Sequence, residues 1–465
     1  MQTTDDPIHR FAAHVAGTRL ADMPDSAIAA AKVLILDTLA VGIGGSAGPM
    51  AAELGQAAAS MGQGAEARVW GTGQPLPAAG AALVNAYQAH CQEYDSVHEG
   101  AVAHVMTAIL AASLAGAERQ GQNGTRVSGA QLLEAAILGT DVGACLGIAA
   151  GGGLRFFRPG TAGGWGAAAA LGKLMGLDAG QMVQAFSIQY GQMCGTMQAH
   201  TEGSGLLAMQ MGFNARNAVT ACDLAAAGFT GPENVLTGPF GYYTLFEDGG
   251  DPEGVAETLG QIWRVEEVAL KPFPSGRATH GILDGALGLQ RAHGFRAADV
   301  VAVRLSVPPL IEHLVGRPPK TEMAINYARL CARYVLAAAL HGQGVAIADF
   351  TDAAYRRAAV QDLAGCVTME VRSGDDPNAL VPIGLEIALH DGRSLTAQVT
   401  DVYGAPQNPM SPDARVQKVR QMAALANPPL AEAPATRLIE LVDHLEDVAD
   451  VRTLVDVATV GVMTG

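Results

Sequence analysis

Through most of its first 228 residues the chain repeats apolar side chains at helical spacing, and most of those side chains are small. PDSAIAAAKVLILDTLAVGIGG (24–45), AVAHVMTAILAASLAGAE (101–118), WGAAAALGKLMGLD (165–178) and LLAMQMGFNARNAVTACDLAAAGF (206–229) all follow this pattern. Hydrophobic residues make up 49% of the chain and aromatic residues only 5%, so the core has to be filled by Ala, Leu, Val, Ile and Met. Closely packed helices are the natural outcome, and 465 residues are enough to bury a large core of them. Pro24-Asp25-Ser26 reads as a helix start and Gly42 to Gly45 as a stop. Gly42, Gly44 and Ala47 formally match a relaxed dinucleotide fingerprint, but a helical period precedes them and no βαβ unit follows, so a helix C-terminus is the better reading.

Composition changes after residue 266. VVAVRLSVP (300–308), CVTMEV (366–371) and IGLEIALHDGRSLTAQV (383–399) alternate apolar and polar residues, and Asp391-Gly392 is a hairpin turn in waiting. YARLCARYVLAAAL (327–340) reads as one helix between them. The expected architecture is mainly α: a discontinuous all-helical domain over 1–265 and 406–465, with a smaller α/β (α+β) lid domain inserted over 266–405.

Charge and cysteine content narrow the function classes. The formal net charge is −16 and no run of Lys or Arg is longer than the pair Arg356-Arg357, which argues against nucleic acid or an anionic membrane as partner. The six cysteines are scattered without a CxxC, as expected of reduced thiols in a cytosolic protein. The acidic start MQTTDDPIHRF lacks a secretion signal, and Glu134, Asp141 and glycines interrupt the most apolar runs before membrane-spanning length. A cytoplasmic protein is expected.

Two polar clusters stand out against this background. In LVNAYQAHCQEYDSVHEGAVAHV (83–105), His90, Glu93, Asp95, His98, Glu99 and His104 crowd the join between two apolar helices. Asp95 and His98, three apart, would face each other on a helical turn, and His104 falls near a helix N-terminus. In KPFPSGRATH (271–280), Lys271, Arg277 and His280 sit within ten residues in a chain short of cations, and Ser275 or Thr279 could cap the following helix. A third segment, GGGLRFFRPGTAGGWG (151–166), brackets Arg155 and Arg158 with glycines before a helix, a plausible anion cradle. Each also has a plainer reading, as a solvated turn, a structural cap or an ordinary helix-to-helix loop.

The order of these motifs resembles the MmgE/PrpD family, which includes 2-methylcitrate dehydratases, cis-aconitate decarboxylases and iminodisuccinate epimerases. The resemblance runs from LDTLAVGIGG through the 83–105 stretch, TAGGWGAAAALGKLMGLD, NARNAVTACDLAAAGFTGPENVL and KPFPSGRATHGILDG to the closing strand hairpin. It implies a homodimer and a cleft between the domains that handles small di- and tricarboxylates without metal or organic cofactor. Asp95, His98, His104, Lys271, Thr279 and His280 match family positions, and Glu93 stands for the family's first aspartate. Val97, Phe157, Leu207 and Gln210 stand where the family pattern has threonine, histidine, lysine and histidine, which implies a less polar pocket and a substrate other than the usual methylcitrate or cis-aconitate.

The expected chemistry is a lyase reaction, dehydration or decarboxylation, begun by proton abstraction next to a carboxylate. His104 and His280 are the expected acid–base pair, Asp95 orients His98 or His104, and Lys271, Arg277 and Arg158 hold carboxylates, with Thr279, Glu93 and Gln210 around them. An epimerase of an iminodisuccinate-like acid and a non-catalytic carboxylate binder are the alternatives.

Overall fold

In the computed structural model, residues 6–374, 376 and 378–459 are described. The first half is built mainly from α1 (Ile8–Gly17), α2 (Asp25–Gly45), α3 (Ala78–His90), α4 (Val105–Gln122), α5 (Gly129–Ile148), α6 (Arg158–Leu174), α7 (Ala179–Gln192) and α8 (Leu206–Ala226), with a further helix, Ala51–Ser60, between α2 and α3. The inner helix α6 packs on α4, α5 and α8; α8 in turn packs on α3, and α3 on α2 and α4.

Small residues set how closely these helices approach. A Cβ on Gly139 would lie 2.6 Å from the carbonyl oxygen of Gly166, and one on Gly166 equally close to that of Gly139. A Cβ on Gly45 would lie 2.0 Å from the carbonyl oxygen of Gln88 in α3. Glycine is required at such contacts because backbone meets backbone and neither side can yield.

The same logic corrects the reading of the glycine-rich segment. The helix expected from Trp165 begins at Arg158, with Pro159 in its first turn, so Gly160, Gly163 and Gly164 lie inside it. A Cβ on Gly164 would meet Gln189 Nε2 at 2.4 Å. These glycines serve helix packing and form no anion cradle.

Two helices, α2 and α5, are long and apolar enough to cross a membrane by length and composition, which corrects the expectation that polar residues cut every such run. Of the windows that meet this test, 67% of α2 and 83% of α5 is buried inside the protein. Asp141 does not interrupt α5: it is buried there, accepting from the Arg264 amide at 2.9 Å and facing His14 Nε2 at 3.2 Å.

After residue 266 the chain forms α9 (His280–His293), β1 (Val300–Val307), α10 (Ala332–Gly342), α11 (Ala358–Gly365), β2 (Val367–Val371), β3 (Ile383–Leu389) and β4 (Ser394–Val399). The sheet order is β2-β1-β3-β4, with β1 and β2 parallel and the other pairs antiparallel. Alternation gives one buried face through Val303, Leu305, Val307, Ile383, Leu385 and Ile387. Helix α9 packs on β3 and β4, and α11 on β1 and α10. The single helix expected over 327–340 is broken: a short helix, Ile325–Arg329, ends before α10 begins at Ala332. Three last helices, α12 (Pro412–Leu425), α13 (Glu432–Asp443) and α14 (Arg452–Ala458), return to the first half, α12 and α13 packing on α2 and α14 on α4.

Candidate active site

Helix α3 ends at His90, and the chain then leaves helical geometry altogether. Glu93 adopts a left-handed backbone (φ 52°), residues Val97–His98 form a short strand against Val268–Ala269, and the following turn holds Val102 at φ 50°. A β-branched residue in that region is strained, and such strain tends to be kept at functional sites. His104 then takes the N-cap position of α4, with no capping hydrogen bond from its side chain.

This path separates Asp95 from His98, whose expected pairing requires a helical turn. His98 instead places Nε2 2.9 Å from Glu267 Oε2 and accepts the Ala101 amide on Nδ1 at 3.1 Å. Asp95, fully buried, is the centre of a different group. Its Oδ2 accepts from Thr107 Oγ1 at 2.6 Å and lies 2.9 Å from His90 Nδ1 and 3.2 Å from His104 Nδ1. The two imidazoles stand edge to face with centroids 4.7 Å apart.

The surroundings push these two histidines in opposite directions. Burial opposes charge on His90, but Asp95 on one side and Glu93 Oε1, 3.5 Å from Nε2, outweigh it and raise its pKa. For His104 burial prevails over Asp95, helped by the charges of Lys271 and His90, and its pKa falls. The helix N-terminus at His104 acts in the same sense. His104 Nδ1 faces the Asp95 carboxylate at 3.2 Å, and a carboxylate can only accept, which favours the tautomer with hydrogen on Nδ1 and a lone pair on Nε2. The surroundings thus favour charge on His90 and oppose it on His104, the division of labour that acid–base catalysis needs.

Lys271 is fully buried and sits 3.0 Å from Glu93 Oε2 and 3.9 Å from Asp95 Oδ1. Burial alone would raise the Glu93 pKa, but Lys271, His90 and His104 together take it down to about 2. Arg277 places Nε 2.5 Å from Glu99 Oε1 and donates through Nη1 to the Tyr403 carbonyl at 2.9 Å.

A cavity opens in front of these groups. His90, Glu93, Glu99, His104, His200 and Arg277 supply its polar wall; Val97, Val102, Leu154, Phe157, Met197, Leu314, Val315, Leu330 and Leu380 supply an apolar one. Both the helical first half and the sheet-bearing segment contribute. Among the expected site residues, Glu93, His104 and Arg277 line it, and Asp95 and Lys271 lie directly behind.

The others lie elsewhere. His280 is buried outside the cavity wall, its Nε2 3.2 Å from the Ser275 carbonyl and its Nδ1 3.5 Å from Arg277 Nη1, so both ring nitrogens are occupied. Neither Ser275 nor Thr279 caps α9: their hydroxyls bond each other at 2.8 Å, and Thr279 also donates back to the Gly276 carbonyl. Arg158 cannot offer a free charge, because it is wholly buried and forked onto Glu247 at 2.8 and 3.1 Å. Gln210 accepts from the Thr196 amide at 2.6 Å, away from the lining. His90, noted in the cluster but given no role, and His200, not noted at all, also enter the site. His90 could be found from its place at the last turn of α3, five residues before Asp95; nothing in the sequence marks His200.

The ligand atoms of His90, Asp95 and His104 lie within 4.8 Å of one another, a set that could hold a metal ion. Lys271 beside Asp95 and the donors already on that carboxylate disfavour a cation there.

The profile of the MmgE/PrpD N-terminal domain matches residues 9–254, and that of the MmgE/PrpD C-terminal domain matches residues 273–447. The chain belongs to the MmgE/PrpD family. Within the family it is 29% identical over 457 residues to a cis-aconitate decarboxylase of Aspergillus terreus, covering 94% of this chain and 92% of that one. It is 27% identical over 463 residues to the human cis-aconitate decarboxylase, covering 96% and 92%. The mouse cis-aconitate decarboxylase gives 27% over 461 residues, covering 96% and 91%. Of the positions expected to differ from the family pattern, Val97 and Phe157 line the cavity, whereas Leu207 is buried outside it.

Proposed function

We propose that this protein is a lyase that acts on a small carboxylic acid through a carbanion next to a carboxylate: a proton is removed from that carbon before water is lost, or carbon dioxide is lost from it and a proton is added in its place. The observation that carries this reading is the His90–Asp95–His104 group, in which one carboxylate supports a neutral and a charged imidazole at a cavity wall. His104 Nε2 takes the proton from carbon, and His90, held charged between Asp95 and Glu93, is the proton donor. A weak carbon acid needs both a base and groups that accept the charge left behind. The family's decarboxylases support the lyase class, and no step drawn from these residues requires a cofactor.

The substrate has fewer carboxylates than cis-aconitate or methylcitrate, or presents them differently. Lys271 and Arg277 are already paired with Glu93 and Glu99, and much of the remaining wall is apolar. An epimerase needs proton carriers on two faces of the substrate; His90 and His104 share one wall and His280 is outside it, which favours the lyase.

The test is proton NMR of the purified protein in deuterated buffer with citrate, 2-methylcitrate, cis-aconitate, malate and iminodisuccinate, and with monoacids bearing alkyl substituents. The expected result is a new product signal from an acid with fewer charges than cis-aconitate, abolished in His104→Ala. Deuterium entering recovered substrate without product would establish the epimerase instead, and silence together with tight binding would leave a carboxylate binder.

A further inference from the structure

His200 lies on the cavity wall, on the short helix Gln198–Glu202, and is only 6% exposed. Its partner is Arg317, from the loop beyond Leu314 and Val315. Arg317 Nη2 lies 3.2 Å from His200 Nδ1, and Nη1 donates to the His200 carbonyl at 3.0 Å. The guanidinium is itself fixed, donating to the Leu314 carbonyl at 3.1 Å and lying over the Tyr327 ring at 5.0 Å.

A guanidinium has five donors and no acceptor. In this contact the histidine nitrogen must therefore be the acceptor, which leaves Nδ1 without hydrogen and places the ring proton on Nε2. A second proton would set an N–H of the ring against an N–H of arginine. Burial first, then the charges of Arg317, His313 and His90, opposed only by Glu93, hold the His200 pKa down to about 3. The ring is thus a neutral donor over the whole working range. Among the described residues its Nε2 has no hydrogen-bond partner, whereas Arg277 at the same cavity is committed to Glu99.

We infer that His200 is a further catalytic residue, a neutral imidazole whose Nε2–H, fixed by Arg317, donates to the substrate carboxylate oxygen that gains charge as the neighbouring carbon loses its proton. This rests on the lyase reading. In the step, the C–H bond breaks, the proton goes to His104 Nε2, and the electron pair moves through the carbon into the carboxylate. His200 keeps its proton and supplies only the hydrogen bond. A neutral imidazole suits the task because its N–H is a fixed dipole aimed at the developing charge and needs no change of protonation.

The test begins without substrate. In protein labelled with ¹⁵N-histidine, long-range ¹⁵N–¹H spectra identify His200 by its loss in His200→Gln. The expected result is a neutral, Nε2-protonated ring that does not titrate between pH 5 and 8 and whose pKa rises in Arg317→Met while staying below the ordinary value of about 6.5, because burial remains. A ring that titrates in that range in the unaltered protein, or carries its hydrogen on Nδ1, overturns the inference. The same spectra are then recorded with the acids of the NMR panel, and turnover is measured in His200→Leu and His200→Gln. The expected loss is roughly 10²-fold in kcat for Leu with KM within about threefold, and a smaller loss for Gln, which retains an N–H donor. Normal kcat in His200→Leu sinks the proposed role, as does a His200 signal unmoved by every acid. A His200 signal that moves with an acid in the absence of turnover keeps the contact and sinks the lyase reading instead.

Discussion

One carboxylate cannot fully neutralise two imidazoles 4.7 Å apart, so Asp95 forces His90 and His104 to share unequally. Glu93 tips the balance toward charge on His90, while Lys271 and the start of α4 tip it against His104. The sign of the pH dependence follows. Activity requires neutral His104 and charged His90, so kcat/KM falls on the acid side as His104 protonates, below the ordinary value of 6.5, and on the alkaline side as His90 deprotonates, above it. In Asp95→Asn, His90 loses its main anionic partner, so the alkaline limb moves to lower pH, and kcat/KM at the optimum drops roughly 10²-fold or more. His98→Gln, altering a ring tied to Glu267, leaves the profile in place. A pH–rate series on the three proteins checks all of this, and an unmoved alkaline limb in Asp95→Asn would remove His90 from the mechanism. The composition of this site was legible in the sequence, because acids and histidines gathered between two apolar helices have few places to go. Its pairing was not: spacing joins Asp95 to His98 only if the chain stays helical, and the left-handed turn at Glu93, a residue with no local preference for it, is held by contacts from a distant segment, Lys271 donating to the Glu93 carbonyl and carboxylate.

At the scale of elements, the readable features were those with a local cause. The Asp391-Gly392 hairpin, the alternating strands and the helices of the first half follow from turn chemistry and periodicity. The glycines are less readable where their reason lies in another element. Gly42 to Gly45 end α2 as expected, but they also allow close packing that the sequence does not show, with Gly42 against the Trp70 ring and Gly45 against the backbone of α3 two residues before His90. Gly45→Ala places a Cβ 2.0 Å from the Gln88 carbonyl oxygen, so α2 and α3 must part. The expected cost is about 1–3 kcal/mol, read as a lower urea midpoint at unchanged slope. Because α3 carries His90, kcat should fall as well, by more than in Gly288→Ala, where a Cβ meets nothing within 4 Å. Equal stability for the two variants would show that α2 and α3 separate at no cost.

Across the whole molecule, the two polar clusters that are 176 residues apart, from Asp95 to Lys271, meet through a third segment from near the C-terminus. Lys418 in α12 is buried and donates to the carbonyls of Tyr94 at 2.9 Å and Lys271 at 3.0 Å, and pairs with Asp37 of α2 at 2.6 Å. One ammonium therefore holds the residue before Asp95, the backbone of Lys271 and the helix beneath both. Burial disfavours both charges, raising the Asp37 pKa and lowering that of Lys418, so the pair is costly to keep and its value lies in what it positions. Lys418→Met strands Asp37 and leaves two carbonyls without a donor, at an expected cost of roughly 3–5 kcal/mol. Adding Asp37→Leu removes the stranded charge, so the double variant should recover much of that stability. Turnover should not recover with it, because the Tyr94 and Lys271 carbonyls still lack their donor and the two catalytic loops lose their common anchor. A double variant restored in both urea midpoint and kcat would mean that Lys418 only neutralises Asp37. Restoration of the midpoint alone would place the link between the two clusters in this one side chain, and would explain why a site assembled from residues 90–104 and 271–277 depends on a helix that touches no substrate.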